Sequence, residues 1–258
     1  MLRTSSERLI REASEQKKSK KMKKQHQQAN HWVRPSAQLE LGEVQSKATN
    51  INRSGRHPSG SSRGFGQLWQ KTYRLPLAGI EIKPEAVVAD WKKNFTTYWP
   101  GKNRFHGSAE GVAPGEVVIL DLTRQSGRRV KTGIQVIDSD KQSFSFMWLQ
   151  GQMFVGLITF HAEKNDGLTW VQIQALVRAG DPIFEIGCRL GFGHKADAAF
   201  WQGTLQNLRK AMVAEFRPVQ QKTQLVDPRI QWQQAGNVWH NSTIRTMLGL
   251  PYQLVQKL

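Results

Sequence analysis

The sequence predicts an α+β fold, with an antiparallel sheet of about six to seven strands, one helix after the first strand and one long helix after the last. Three observations support this prediction. Residues 154–177 alternate apolar and polar side chains with a period of two, as a β-hairpin does. Residues 197–216 carry an apolar stripe at helical spacing. Short, turn-rich links join the segments between them, which is typical of antiparallel strands.

Residues 1–66 are predicted to form a disordered basic segment before the domain. They hold 14 of the 37 Lys and Arg residues but 5 of the 20 Asp and Glu residues, so about half of the net charge of +17 lies there. The rest of the segment is rich in Gln, Asn, Ser and Gly. Such a composition cannot bury enough apolar area to offset the entropy of the chain.

The basic run in this segment predicts an anionic partner, either a membrane surface or a nucleic acid. A solvated tail without a partner is the alternative. A transit peptide is disfavoured because Glu7, Glu12 and Glu15 interrupt a segment that should be poor in acidic residues. The run consists of Lys17, Lys18, Lys20, Lys21, Lys23 and Lys24.

Composition also limits the cellular setting of the chain. No run approaches the ~20 apolar residues of a membrane span, and the N-terminus lacks the apolar core of a signal peptide. Cys188 is the only cysteine, so an intramolecular disulfide is impossible and a reducing, cytoplasmic setting is expected. No basic cluster flanks this cysteine, which favours a buried, inert thiol over a reactive one.

The domain is predicted to span residues 67–217, with its first strand in the segment TYRLPLAGI, which begins at Thr72. Pro84 and Glu85 then suit the first turn of a helix, and Pro100 ends it. The apolar face of this helix consists of Val87, Trp91, Phe95 and Tyr98.

The next four strands are predicted to form two pairs. A four-residue loop between RFHGSAEGV and VVILDLT places Phe105 and Leu120 on one face. The segments VKTGIQVID and SFSFMWL bring their apolar residues together only if a three-residue loop or a β-bulge joins them. The residues brought together are Val130, Ile134, Val136, Phe144, Phe146 and Trp148.

The hairpin in residues 154–177 changes the parity of its apolar residues at Asp166-Gly167, which suits a two-residue turn. A loop with an even number of residues places Phe160 and Ile173 on the same face. One sheet face is therefore strongly apolar, and it covers either a solid core or a cavity.

The last helix is predicted to begin at Asp197 as its N-cap and to run to Phe216, because Pro218 stops it. Its stripe is formed by Trp201, Leu205, Leu208 and Met212. Residues 218–258 are predicted to be a C-terminal extension with a short amphipathic helix in the segment NVWHNSTIRTML.

This order of elements resembles the helix-grip fold of the START-like (SRPBCC) superfamily, which includes the birch-pollen-allergen, polyketide cyclase/dehydrase and aromatase groups. The resemblance covers about Tyr73 to Phe216. It rests on GIEIKPEAVVADWKKNF, FVGLITFHAEKNDGLTWVQIQALV and DAAFWQGTLQNLRKAM. It implies a curved sheet around the C-terminal helix, with a cavity for an apolar ligand such as a lipid, sterol, isoprenoid or polyketide.

The primary hypothesis is therefore a cofactor-free domain that binds an apolar small molecule or lipid between sheet and helix. The alternatives are a cyclase- or aromatase-type enzyme that uses the same cavity and an interaction protein that docks through its basic arm. A buried His, Asp, Glu or Tyr in the cavity would favour the enzyme. The predicted ligand-binding residues are Phe144, Phe146, Trp148, Phe154, Ile158, Phe160, Val171, Ile173, Trp201, Leu205, Leu208 and Met212.

No catalytic residue and no metal site is predicted. His106 and Asp121 share a face, but it is the polar one, and His161 is also predicted to point outward. The segment from Gly191 to His194 lacks the spacing and the lysine of a phosphate loop, so a connector is the preferred interpretation. The histidines and the cysteine form no metal-binding motif.

Overall fold

The computed structural model describes residues 58–101, 104–106, 112–123 and 129–241, with the backbone alone for 104–106, 118–123 and 129–132. Within these residues eight strands form one antiparallel sheet in the order β2-β3-β4-β5-β6-β7-β1-β8. The longest helix packs on β1 and β7. The predicted α+β class and helix-grip arrangement are confirmed, with one strand more than expected.

The strands are β1 (Leu68–Leu77), β2 (Arg104–His106), β3 (Val117–Thr123), β4 (Arg129–Ser139), β5 (Ser143–Trp148), β6 (Phe154–Asn165), β7 (Leu168–Ala179) and β8 (Gln220–Asp227). The helices are α1 (Pro84–Lys93), α2 (Pro182–Arg189) and α3 (Phe192–Ala211). Three 3₁₀ segments cover Ser61–Arg63, Phe95–Tyr98 and Trp232–His240.

The β6–β7 hairpin has the predicted turn. Asp166 and Gly167 have φ angles of 49° and 79°, the left-handed conformation that a two-residue turn of type I′ requires at both positions. Phe160 is paired with Ile173 across the two strands. The two apolar sets therefore share one face, as predicted.

The other strand pairs also follow the sequence pattern. The register of β4 and β5 shifts between Val136 and Asp138, so the predicted irregularity is present as a β-bulge. This shift lets Val136 pair with Phe146. Between β2 and β3, Phe105 pairs with Leu120, so the two residues share one face, as predicted.

The first predicted helix is divided into two parts. Helix α1 ends at Lys93, and after Asn94 the chain forms the 3₁₀ segment Phe95–Tyr98. Val87, Trp91, Phe95 and Tyr98 are nevertheless all buried, so the predicted apolar face is confirmed.

The predicted limits of the last helix are wrong at both ends. Helix α3 begins at Phe192, five residues before Asp197, and it ends at Ala211. Gly191 starts it with a φ of 81°, a left-handed conformation that glycine adopts without strain. The glycine-containing segment is therefore the first turn of a helix, and Asp197 lies inside that helix.

Helix α2 was missed by the sequence analysis. Its N-cap, Asp181, accepts hydrogen bonds from the backbone N–H groups of Ile183 and Phe184 at 2.9 and 3.0 Å, and Pro182 occupies the first turn. The same combination of proline and acidic residue predicted α1. The helix has eight residues, too few for a clear period.

Both predicted segment boundaries miss ordered residues. Residues 58–66, assigned to the disordered segment, pack on β6 and β7 through Ser61–Arg63, and Phe65 N donates to Ala179 O at 2.9 Å. Strand β8, assigned to the extension, pairs with β1. This strand has little apolar alternation because it is an exposed edge. The predicted disorder of residues 1–57 lies outside the described residues. So does most of the amphipathic helix predicted in residues 237–248, whose first residues, 237–240, form the end of the 3₁₀ segment Trp232–His240.

Candidate ligand site

The twelve predicted ligand-binding residues lie in one region. Ten of them are buried in a single hydrophobic cluster on the sheet face that α1 and α3 cover. Trp148 and Met212 are partly buried and pack against that cluster. The sequence pattern therefore identified the inner face of the sheet.

One half of this inner face is filled by aromatic rings. Phe144 and Phe160 stack with their centroids 4.8 Å apart. Trp91 on α1 contacts the ring of Phe160 at 5.3 Å, and Phe95 contacts those of Phe144 and Phe146 at 5.5 and 4.9 Å. These separations are typical of aromatic pairs in direct contact. Aromatic rings of α1 and of the 3₁₀ segment Phe95–Tyr98 therefore cover this half of the sheet.

The other half of the inner face contains a buried polar centre. Lys71 pairs with Ala175 in the sheet, and Tyr73 pairs with Ile173, so both side chains project from β1 toward α3. Lys71 Nζ lies 2.7 Å from Asp197 Oδ2, and the two side chains are 1% and 13% exposed. A charged pair thus lies in the apolar interior where β1 and α3 meet.

Asp197 accepts a hydrogen bond from three different side chains. In addition to Lys71, the Tyr73 hydroxyl donates to Oδ2 at 3.3 Å and Trp201 Nε1 donates to Oδ1 at 2.8 Å. Burial and the neighbouring carboxylate raise the pKa of Tyr73 far above its usual value, so its hydroxyl stays protonated as a donor. The carboxylate of Asp197 is well satisfied.

Lys71 is less well satisfied than its partner. Nζ also lies 4.7 Å from the centroid of the Phe154 ring, a cation–π distance. Among the described residues, Nζ donates to one acceptor, Asp197 Oδ2. A lysine ammonium carries three N–H groups. Two donors of a buried cation therefore remain for another acceptor.

His194 completes this group of residues. Its ring stacks on Phe154 at 6.3 Å and meets the edge of Trp69 at 5.0 Å. Burial, and then the positive charge of Lys71, lower the pKa of His194 to about 4. The imidazole is neutral at pH 7, and its buried Nδ1 has no hydrogen-bond partner among the described residues. The name "polar centre" is used below for Lys71, Tyr73, Phe154, His194, Asp197 and Trp201.

Cys188 lies near the polar centre but offers no nucleophile. The thiol is buried, and burial raises its pKa to about 12. The thiolate is the reactive form of cysteine. The predicted inert role agrees with this environment.

Sequence reasoning missed most of the polar centre. The predicted first strand starts at Thr72, one residue too late to include Lys71. Asp197 was interpreted as an N-cap and His194 as part of a connector. Had β1 been extended toward its N-terminus, its parity would have placed Lys71 on the inner face beside Tyr73.

The other candidate groups contribute nothing further to a site. The side chains of His106 and Asp121 lie outside the described part of the structure. His161 is partly exposed, with Nε2 3.8 Å from a carboxylate oxygen of Glu163. Among the residues whose placement is described, no cluster of three or more His, Cys, Asp or Glu could hold a metal. None of the described helices has the length and apolar character needed to cross a bilayer.

No protein-family model matches the chain, and no curated protein matches it. Solved structures with a similar arrangement include protein Ms6760 from Mycobacterium smegmatis, which is 13% identical over 57% of this chain and 93% of that one, with a TM-score of 0.42. The di-domain aromatase/cyclase StfQ of the steffimycin pathway is 10% identical over 56% of this chain, with a TM-score of 0.45. This chain covers half of StfQ.

Major latex-like protein 151 from Panax ginseng is 12% identical over 57% of this chain and 98% of that one, with a TM-score of 0.39. StfQ carries the aromatase and cyclase description that the sequence resemblance named. Similarity at these identities and TM-scores carries no information about a ligand or an activity. The helix-grip arrangement rests on the strand order and helix packing of the chain itself.

Proposed function

We propose that the chain binds a small amphipathic molecule between the sheet and α3. Its apolar part lies against the inner face, and its polar head meets the polar centre. The observation that carries this proposal is Lys71, which is buried in an apolar interior with one hydrogen-bond acceptor for three N–H groups. A binding site of this kind is mostly apolar with a few convergent polar groups.

The unpaired donors argue against a purely structural role for Lys71. A buried cation is costly unless its hydrogen bonds are made. An oxygen of a ligand would supply the acceptor that Nζ lacks. The charge of Asp197 is already compensated by three donors, so the ligand is not needed to satisfy it.

The chemistry of the centre narrows the class of ligand. Lys71 favours an oxygen acceptor, and the neutral Nδ1 of His194 can accept from a hydroxyl or donate, depending on its tautomer. The ring of Phe154 lies beneath both groups and offers an apolar surface. A hydroxyl or carboxyl group on a hydrocarbon or aromatic body fits these demands, whereas an amine does not.

The test is binding of a fluorescent fatty acid to four forms of the full chain. Lys71→Met removes the donor and keeps an apolar side chain over Phe154, and His194→Phe keeps the ring contacts. Lys92→Met is the matched control because Lys92 also lies over a phenylalanine, with Nζ 5.8 Å from the Phe144 centroid, at the surface side of α1. Loss of binding in the first two variants alone is expected.

Equal binding by all four forms would reject the polar centre as the site. Circular dichroism of each variant separates loss of binding from loss of fold. If Lys71→Met proves unstable, His194→Phe still tests the site, because it leaves the Lys71–Asp197 ion pair intact.

An enzyme is the second candidate function, because a buried Tyr and a partly buried Asp and His lie inside the domain. Tyr73, Asp197 and His194 converge around Lys71, and such convergent titratable groups are the mark of a catalytic site. The test is mass spectrometry of a molecule captured from cell extract, before and after incubation with excess protein. A changed mass with wild type, and an unchanged mass with His194→Phe, would favour the enzyme over a carrier.

A further inference from the structure

Helix α2 exposes an apolar face to solvent. Ile183, Ile186 and Leu190 recur at spacings of three and four, so they share one side of the helix. All three are exposed, whereas Phe184 and Cys188 are buried. The helix therefore packs one apolar face on the domain and presents a second one outward.

Two exposed tryptophans lie on the segment beside this helix. The 3₁₀ segment Trp232–His240 packs against α2, and at its end Asn241 Nδ2 donates to Asp181 Oδ2 at 2.6 Å. Trp232 and Trp239 are both more than half exposed. The term "docking surface" is used below for Ile183, Ile186, Leu190, Phe192, Trp232 and Trp239.

The exposed charges around the docking surface are positive. Arg189, Lys195 and Arg229 are exposed. The carboxylates of the same segments, residues 181–195 and 227–241, are buried beneath the surface and hydrogen-bonded. They are Asp181, Glu185 and Asp227, and Arg189 and Arg229 are themselves the ion-pair partners of Glu185 and Asp227. The solvent-exposed side of this region therefore presents apolar and cationic groups, and its carboxylates lie buried beneath them.

We propose that the docking surface binds the interface of an anionic lipid bilayer. Tryptophan prefers the boundary between headgroups and acyl chains, and exposed aliphatic side chains can insert at the same depth. The exposed cations complement anionic headgroups, and the net charge of +17 adds attraction at long range. This surface is separate from the polar centre, so its test does not depend on the proposed ligand.

The test is co-sedimentation of the full chain with phosphatidylcholine vesicles, with and without phosphatidylglycerol. Raised salt suppresses purely electrostatic binding through the basic run. Ile186→Ser combined with Phe192→Ser is expected to weaken partitioning into anionic vesicles by about tenfold or more, because two exposed apolar side chains are lost. Phe216→Ser is the matched control, since Phe216 is 69% exposed at the other end of α3 and Phe192 is 71% exposed.

A second readout locates the contact. Brominated lipids should quench tryptophan emission in the wild type, and Trp232→Phe with Trp239→Phe should remove most of that quenching. Equal partitioning of the Ile186/Phe192 variant and wild type would overturn the proposal. So would a dimer, seen by analytical ultracentrifugation, that this variant dissociates while wild type ignores vesicles. Binding only after removal of residues 242–258 would mean that this segment of the chain occupies the surface instead.

Discussion

Two buried ion pairs lie in different parts of this domain and differ in how fully they are bonded. Lys71–Asp197 lies between the inner face of the sheet and α3, and Arg178–Asp227 joins β7 to the end of β8. Both cations are 1% exposed. Equal burial makes the hydrogen bonds of each cation the informative difference.

Arg178 is bonded as a structural cation would be. Its terminal nitrogens donate to Gly66 O at 2.7 Å, to Arg229 O at 2.9 Å and to Asp227 Oδ2 at 2.5 Å, although its Nε has no partner. It joins the start of β1, the end of β8 and the following loop. Lys71 has one acceptor. The Arg178 pair is therefore bonded to several parts of the fold, whereas the Lys71 pair is the one at which we propose that a ligand binds.

The largest expected effect is on stability at the Arg178 pair. Arg178→Met should lower the free energy of unfolding by about 3–5 kcal/mol, because it breaks three hydrogen bonds and leaves the carbonyl oxygens of Gly66 and Arg229 without that donor, although Asp227 keeps the donors of Arg229. Lys71→Met should cost roughly 1–2 kcal/mol, because Asp197 keeps Tyr73 and Trp201 as donors. Urea unfolding of both variants measures the difference. A larger loss for Lys71→Met would reverse the assignment of roles.

The second prediction concerns the pH dependence of stability, which differs between the two regions. The folded-state pKa of His194 is about 4, below its usual 6.5, so the unfolded chain binds the extra proton and this region loses stability as pH falls from 6.5 to about 4. The pKa of Asp227 is lowered, first by its hydrogen bond to Arg229, so its stabilisation is present above about pH 4 and is lost in more acidic solution.

The measurement is the midpoint of urea unfolding across this pH range. His194→Phe should flatten the curve between pH 6.5 and 4 and leave the acid limb unchanged. If His194→Phe and wild type give the same curve between pH 6.5 and 4, the imidazole is not held neutral by burial.

The smallest expected effect on the fold concerns the basic run. Changing Lys17, Lys18, Lys20, Lys21, Lys23 and Lys24 to Gln should leave the melting temperature unchanged, because this segment is predicted to be disordered. Salt-sensitive retention on heparin or anionic vesicles should fall sharply. Unchanged retention would assign the anionic partner to the folded domain, and a lowered melting temperature would contradict the predicted disorder.

The sequence predicts the inner face of the sheet well because strand parity is a local property. Phe146 and Val136 are paired next to a β-bulge that the sequence pattern required. The Asp166-Gly167 turn sets the register of β6 and β7. The polar centre is different because it depends on which element packs over Lys71. Asp197 gains its role only when α3 crosses β1, and no local pattern encodes that crossing.

The same reasoning explains the missed edge strand and the misplaced segment boundary. Strand β8 is polar because most of it faces solvent, so its pairing with β1 leaves no apolar period to detect. Phe65 is a single apolar residue in a Ser- and Gly-rich stretch, and its backbone bonds to Ala179 at the end of β7, which is distant in sequence. Both features require the tertiary structure.

The most direct test of the account is thermal melting of wild type and Lys71→Met with two ligands of equal chain length, dodecanoic acid and dodecylamine. The polar centre predicts that dodecanoic acid raises the melting temperature of wild type, that dodecylamine does not, and that Lys71→Met responds to neither. Equal stabilisation of the two proteins by dodecanoic acid, or of wild type by both ligands, would contradict a head-group site at Lys71.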